Sequence, residues 1–111
     1  MNKYLLILFE KEDVYTNFSP EEMQQEIEAH GKWIQELGKH YDSGEPLEQA
    51  AKTVNGKEKV VTDGPFMESK ELVSGFYILK AHNLEEATEL SKGCPVLKLG
   101  GNVEVREIAQ F

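Results

Sequence analysis

The sequence predicts an α+β fold: a ferredoxin-like antiparallel sheet with two helices on one face. Three observations carry that reading. Strand-like and helix-like patterns alternate in the order β, α, β, β, β, α, β, both helix starts carry capping signatures, and two of the strand segments are apolar at nearly every position.

Residues 3–9, "KYLLILF", are rich in β-formers without polar alternation, as in a strand covered on both faces. A charged loop follows, then "SPEE", with Ser19 as N-cap, Pro20 at the first helical position and Glu22 completing a capping box. Met23, Ile27, His30, Ile34 and Leu37 recur down one face, with Trp33 beside them, so a helix is expected to about residue 39. Asn55-Gly56 lies between β-capable stretches at 47–54 and 57–62, a hairpin signal because both residues tolerate positive φ. "ELVSGFYILKA" (71–81) is a strong strand, and Asn83 with Glu86 opens a shorter helix expected to turn Leu84, Ala87 and Leu90 inward. "NVEVREIAQ" supplies the last strand.

Two helices can cover only one face of such a sheet. The first strand and residues 76–79 offer apolar side chains to both faces, so the uncovered face calls for a partner, most simply a homodimer packed sheet against sheet.

At 111 residues, with 40% hydrophobic and 29% charged residues, the chain reads as one domain over 1–111 that can bury a core. A net charge of -8 with Arg106 as the lone arginine makes nucleic acid a poor partner. The apolar run from Tyr4 to Phe9 is too short to span a bilayer and lacks a signal-peptide cleavage site, so no membrane association and a cytoplasmic location are expected. Cys94 stands alone and reads as a small buried hydrophobe. Histidines at 30, 40 and 82 lack paired metal-ligand spacing, and "KLGGN" precedes a strand, so neither a metal nor a phosphate-bearing cofactor is expected.

His30 is the leading candidate for chemistry. It occupies an apolar stripe where a leucine would be ordinary, and it is open to two readings: a core histidine bonded to a carbonyl or tyrosine, or a general acid–base at a cavity between helix and sheet. Asp63 ends a strand before Gly64-Pro65; it fits an Asx turn, or an acid held at the mouth of a site. Phe66 reads as an apolar plug for that loop or, less simply, a ligand-stacking ring. Arg106 alternates with Val103 and Val105 and is suited to an ion pair with Glu104 or Glu107, or to clamping a substrate carboxylate. His40, Tyr41 and Asp42 are expected in a solvated turn, and His82 in an exposed junction.

Taken together, "YLLILF", "SPEEM", "SGEPL", "VVTDGPFMESKELVSGFYIL" and "VEVREI" span nearly the whole chain and resemble the YCII-related family, in particular its DGPF-domain branch. The resemblance implies a dimeric α/β barrel of ferredoxin-like protomers, similar to small lyases and isomerases that act on aromatic breakdown products, one type of member being associated with dehydrochlorination of a chlorinated hydroxyquinol. It implies a histidine–aspartate active-site pair, matched here by His30 and Asp63, and an association of DGPF proteins with sigma factors. Two functions follow as expectations. One is a cofactor-free lyase or isomerase for a small-molecule ligand, with His30 and Asp63 catalytic and Phe66 and Arg106 binding substrate. The other is a noncatalytic ligand-binding or regulatory dimer acting with a sigma factor.

Overall fold

The computed structural model describes residues 1–66 and 71–111. Its elements are β1 (Asn2–Lys11), α1 (Pro20–Leu37), a 3-10 turn at Gly38–His40, β2 (Tyr41–Pro46), β3 (Lys52–Asn55), β4 (Val60–Asp63), β5 (Glu71–Ala81), α2 (Leu84–Ser91), a second 3-10 turn at Pro95–Leu99 and β6 (Asn102–Glu107). Four strands form an antiparallel sheet in the order β2-β5-β1-β6, the ferredoxin-like arrangement, while β3 and β4 pair only with each other.

This corrects the expected strand assignment. The second strand of the sheet is Tyr41–Pro46, which sequence patterning assigns to a solvated turn, and the predicted hairpin is an outlying insertion after it. "YDSGEP" has little intrinsic β-propensity. It forms because it is an edge strand, where Pro46 is tolerated, and because tertiary contact wants it there. A Cβ at Gly44 would lie 2.6 Å from the Tyr77 ring, so the bare backbone lets β2 close against that tyrosine. The hairpin turn also differs from a two-residue type. It runs through Gly56 to Lys59, both with positive φ, and Asn55 contributes its side chain instead, donating to Val60 O (2.9 Å) and Thr62 Oγ1 (3.1 Å).

Both helices begin where their caps predict. Ser19 Oγ accepts from the Glu22 amide and Glu22 Oε1 accepts from the Ser19 amide, while Asn83 Oδ1 accepts from the Glu86 amide. Glu86 reaches past the cap to the His82 amide and ring, fixing the strand-to-helix junction. The helices pack on one face of the sheet. Trp33 and Leu37 of α1 meet Leu6, Leu8, Tyr77 and Leu79, with Cys94 and Val96 closing the cluster; Ala87 of α2 sits on Tyr4 and Ala81. Full burial of a side chain such as Leu79 is worth about 2 kcal/mol. The stripe is therefore centred on Trp33, leaving Ile27 exposed, and α2 turns Ala87 and Ser91 inward while Leu84 faces solvent. Small residues there let α2 sit close to the sheet.

Leu5, Ile7, Phe9, Phe76 and Ile78 alternate with the core positions and are only half-buried, on the face away from both helices. The molecule measures 45 × 42 × 18 Å, a thin slab. Among the described residues nothing covers that second face.

Candidate functional site

Alternation along β1 carries past Leu8 to Glu10, so the strand delivers a carboxyl to the helix side of the sheet. Alternation along β5 does the same for Tyr77, between Gly75 and Leu79. On α1, Glu26 and His30 lie four residues apart, one turn above the other. These groups converge on a cavity of 520 Å³ between the first half of α1, the adjoining ends of β1 and β5, and the chain from Gly44 to Gln49. Its walls are largely apolar, with Met23, Ile34 and Val96 among them.

Among the polar residues that line the cavity, those on α1, β1 and β5 lie close together. His30 Nδ1 lies 2.6 Å from the Tyr77 hydroxyl, and the two rings stack 6.0 Å apart. Trp33 meets the same tyrosine edge-on at 4.9 Å, so its ring is held from two sides. His30 Nε2 is 3.3 Å from Glu26 Oε1, a contact outside hydrogen-bond geometry that leaves this buried oxygen without a hydrogen-bond partner among the described residues. Tyr15 donates to Glu10 Oε1 at 2.9 Å, and Glu10 Oε2 likewise has no partner.

Burial sets the protonation of the site. It pushes the imidazole of His30 below its ordinary value, with nearby Glu10 pulling the other way, and it raises both Glu10 and Glu26. Tyr77 is raised as well, so it remains a phenol and a hydrogen-bond donor. A neutral imidazole carries one N–H; the carboxyl beside Nε2 favours that tautomer, and Tyr77 then donates to Nδ1. His30 and Tyr77 thus form a hydrogen-bonded pair across which a proton can be passed, with the Glu26 carboxyl beside the imidazole.

The residues singled out from sequence fare differently. His30 joins both expected readings: its side chain is 23% exposed, it is bonded to a tyrosine, and it borders a cavity. Asp63 is not brought to it. The Asp63 side chain is 89% exposed, its carboxylate pairs with Lys52 Nζ at 2.6 Å, and it lies outside the residues lining the cavity. The turn beyond it is held by backbone instead, the Gly64 amide donating to Ala51 O, with Gly64 at φ 90°. Phe66 is 86% exposed and plugs nothing within the protomer. The following Glu68-Ser69-Lys70 portion of the motif lies outside the described residues. Arg106 is exposed on β6 beside Glu104 at 4.0 Å and does not line the cavity.

Of the remaining histidines, His40 donates Nδ1–H to Lys80 O at 2.7 Å, tying the start of β2 to the end of β5, and His82 is exposed against Glu86. Cys94 is buried, and burial pushes its thiol up to about 11, in keeping with an inert hydrophobe. Among the described residues no cluster of His, Cys, Asp and Glu has the arrangement of a metal site.

Glu10, Glu26, Tyr15 and Tyr77 are the site residues that sequence reasoning missed. Their signals were present. Glu10 extends the buried period of the first strand by one step, and Glu26 precedes His30 by one helical turn.

The chain's residues 2–111 match the family described as YCII-related domain. An uncharacterised protein of Rhizobium meliloti (strain 1021) is 36% identical over 55 residues, 49% of this chain and 44% of that protein, so the match spans less than half of the relative's length. Among solved structures, 5-chloro-2-hydroxyhydroquinone dehydrochlorinase (TftG) from Burkholderia phenoliruptrix AC1100, in complex with 2,5-dihydroxybenzoquinone, superposes with a TM-score of 0.56. That comparison covers 100% of this chain and 96% of the other at 15% identity, a likeness of fold.

Proposed function

The chain belongs to the YCII-related domain family, and from that premise we propose that it is a small cofactor-free enzyme of the lyase or isomerase type, moving a proton on a small organic substrate held in the His30 cavity. One observation carries the reading: a neutral imidazole bonded to a buried phenol at 2.6 Å, with a carboxyl on its far side, at the wall of an apolar cavity. A substrate proton passes to the Tyr77 oxygen as the Tyr77 proton passes to His30 Nδ1. The electron pair left on the substrate then shifts a double bond or expels a leaving group, and the imidazolium is stabilised by Glu26. Return of the proton closes an isomerisation; its release to water closes an elimination. The fold likeness to a dehydrochlorinase agrees with this class of chemistry.

Assembly as a homodimer through the half-buried face of Leu5, Ile7, Phe76 and Ile78 belongs to the same proposal, supported by the thinness of the protomer. A role for Asp63, Phe66 or Arg106 at the ligand requires a second copy to bring it there, since none lines the cavity of its own protomer.

The test is solvent-deuterium exchange into a panel of small hydroxylated and carbonyl-bearing rings, followed by NMR. Exchange by the wild-type protein that disappears in both His30→Gln and Tyr77→Phe is expected. Ligand binding without exchange in any variant would make this a binding protein instead. Loss of exchange in Asp63→Asn, with the fold intact, would bring the hairpin into the site.

A further inference from the structure

Tyr77 is fixed at its backbone by the sheet, where it pairs with Leu6 of β1 and Gly44 of β2, but the direction of its ring is left to its side-chain torsions and to whatever packs against it. Trp33 meets that ring edge-on at 4.9 Å and Tyr41 at 6.3 Å, and the bare backbone of Gly44 closes a further side. Trp33 is itself wedged. It is 5% exposed, and Gly93, in the turn that follows α2, lies so near that a Cβ there would stand 2.5 Å from the indole Nε1 and 2.8 Å from Cδ1. The three atoms nearest to that position all belong to the indole. Backbone conformation does not explain a glycine here, since the positive-φ glycines are Gly38, Gly56, Gly64 and Gly100. The Gly93 amide donates to Leu90 O at 3.2 Å, which holds the turn on the end of α2. Neither Gly93 nor Trp33 lines the cavity.

We propose that Trp33 and Gly93 are positioning residues for the proton pair: the indole, seated against the hydrogen of Gly93, aims the Tyr77 ring so that its hydroxyl stays on His30 Nδ1. This rests on His30 and Tyr77 being the pair that moves the proton. The contacts form one line, from the turn after α2 through the indole and the phenol to the imidazole, and every link is close enough that displacing one member displaces the next. Precision at the last link matters. A misplacement of about 1 Å can cost about a hundred-fold in rate, and from 2.6 Å it would carry the hydroxyl out of hydrogen-bond reach of the ring nitrogen. The turn after α2, exposed on its outer side, is thereby coupled to a site that it does not touch. A side chain at 93 acts on the indole alone, whereas one at Gly44 would also meet Phe76 O at 2.7 Å and disturb the strand pairing, so Gly93 is the cleaner place to probe the line.

The test is Gly93→Ala, read by the nitrogen resonances of the His30 imidazole in the isotope-labelled full-length protein, in the wild-type and in the Tyr77→Phe background. In the wild-type background Nδ1 is expected to move at least about half of the way to its position in Tyr77→Phe, because the methyl displaces the indole and the hydroxyl leaves the ring nitrogen. Added to Tyr77→Phe, the same substitution is expected to move Nδ1 by less than about a tenth of that span, there being no hydroxyl left to displace. A resonance that stays in place in Gly93→Ala would overturn the proposal. So would an equal shift in both backgrounds, which would carry the effect through the core at large and not through the phenol. Should Gly93→Ala fail to fold, Trp33→Phe, whose smaller ring draws back from Tyr77, is read in the same two backgrounds against the same outcomes. The resonances report the hydrogen bond and not turnover, so an inactive protein leaves this result standing, and a failed coupling at Gly93 leaves the proton transfer at His30 standing.

Discussion

The helix-backed sheet and the β3–β4 arm are both β structure drawn from valine-, leucine- and threonine-rich sequence, yet they put those residues to opposite use. In the sheet, alternate positions of β1 and β5 disappear into a core with Trp33 and Leu37. In the arm, Val54, Val60 and Val61 remain exposed, and every strand bond is made to the other half of the hairpin. An isolated two-stranded hairpin is marginal in water. What holds this one locally is polar: Asn55 stitched across the turn, Thr53 Oγ1 donating to Gly64 O at 2.7 Å, and the Lys52–Asp63 pair. The lesson is that the cavity is built against the packed sheet and α1, not on the arm. The motif that carries the family likeness begins on the outlying part.

If that division is right, truncation separates the two regions cleanly. Leu79→Ala, at a fully buried position, is expected to cost about 3 kcal/mol in denaturant unfolding, whereas Val54→Ala should stay within about 0.5 kcal/mol for the protomer. A large loss at Val54 would show that the arm is packed in solution, and a concentration dependence of that loss would assign the packing to a second copy. Tyr77→Phe comes next. Removing the hydroxyl at His30 Nδ1 is expected to cost about 1 kcal/mol and to release the ring nitrogen, visible as a shifted imidazole resonance.

Glu10→Leu sharpens the contrast through pH. A carboxyl whose folded-state pKa is raised contributes its stability below the unfolded value of 4.5 and loses it as pH rises through the folded value. The Leu variant should therefore gain on wild type in melting temperature as pH rises above 4.5 through the raised folded-state value. A gap that instead narrows over that range would mean an ionised, well-paired Glu10. His30 acts in the opposite sense, being lowered by burial, but it is present in both proteins. The smallest effect is expected at Lys52→Ala, where an exposed pair contributes less than about 0.5 kcal/mol, read by the same melts.

Much of the protomer was legible in the sequence, and the exceptions have physical causes. Both caps, the long strands and the Trp33–Leu37 end of the buried face of α1 follow from local rules that depend on few neighbours. β2 does not, because Asp42, Gly44 and Pro46 speak for a turn and only the Tyr77 ring and the β5 edge make them a strand. His30 was visible as a polar residue on an apolar stripe. The sequence points to an acid in the loop motif, and Glu26, one turn earlier, carries no local mark that sets it apart from the many helix glutamates that face water. Glu10 was hidden by lying at the end of an apolar strand, beside a lysine and a second glutamate that do face water. Which carboxyl turns inward depends on how far the alternation of β1 continues past Phe9, and that is decided by its pairing with β5 out to Lys11.

The most direct measurement is an NMR titration of the His30 imidazole in wild type and Glu10→Gln. Seated in a desolvated cavity with Glu10 nearby, the ring is predicted to titrate below the ordinary value of 6.5, and lower again once that carboxyl is replaced by an amide. A midpoint at or above 6.5, unmoved by the substitution, would contradict the account by placing His30 in water and away from the acid.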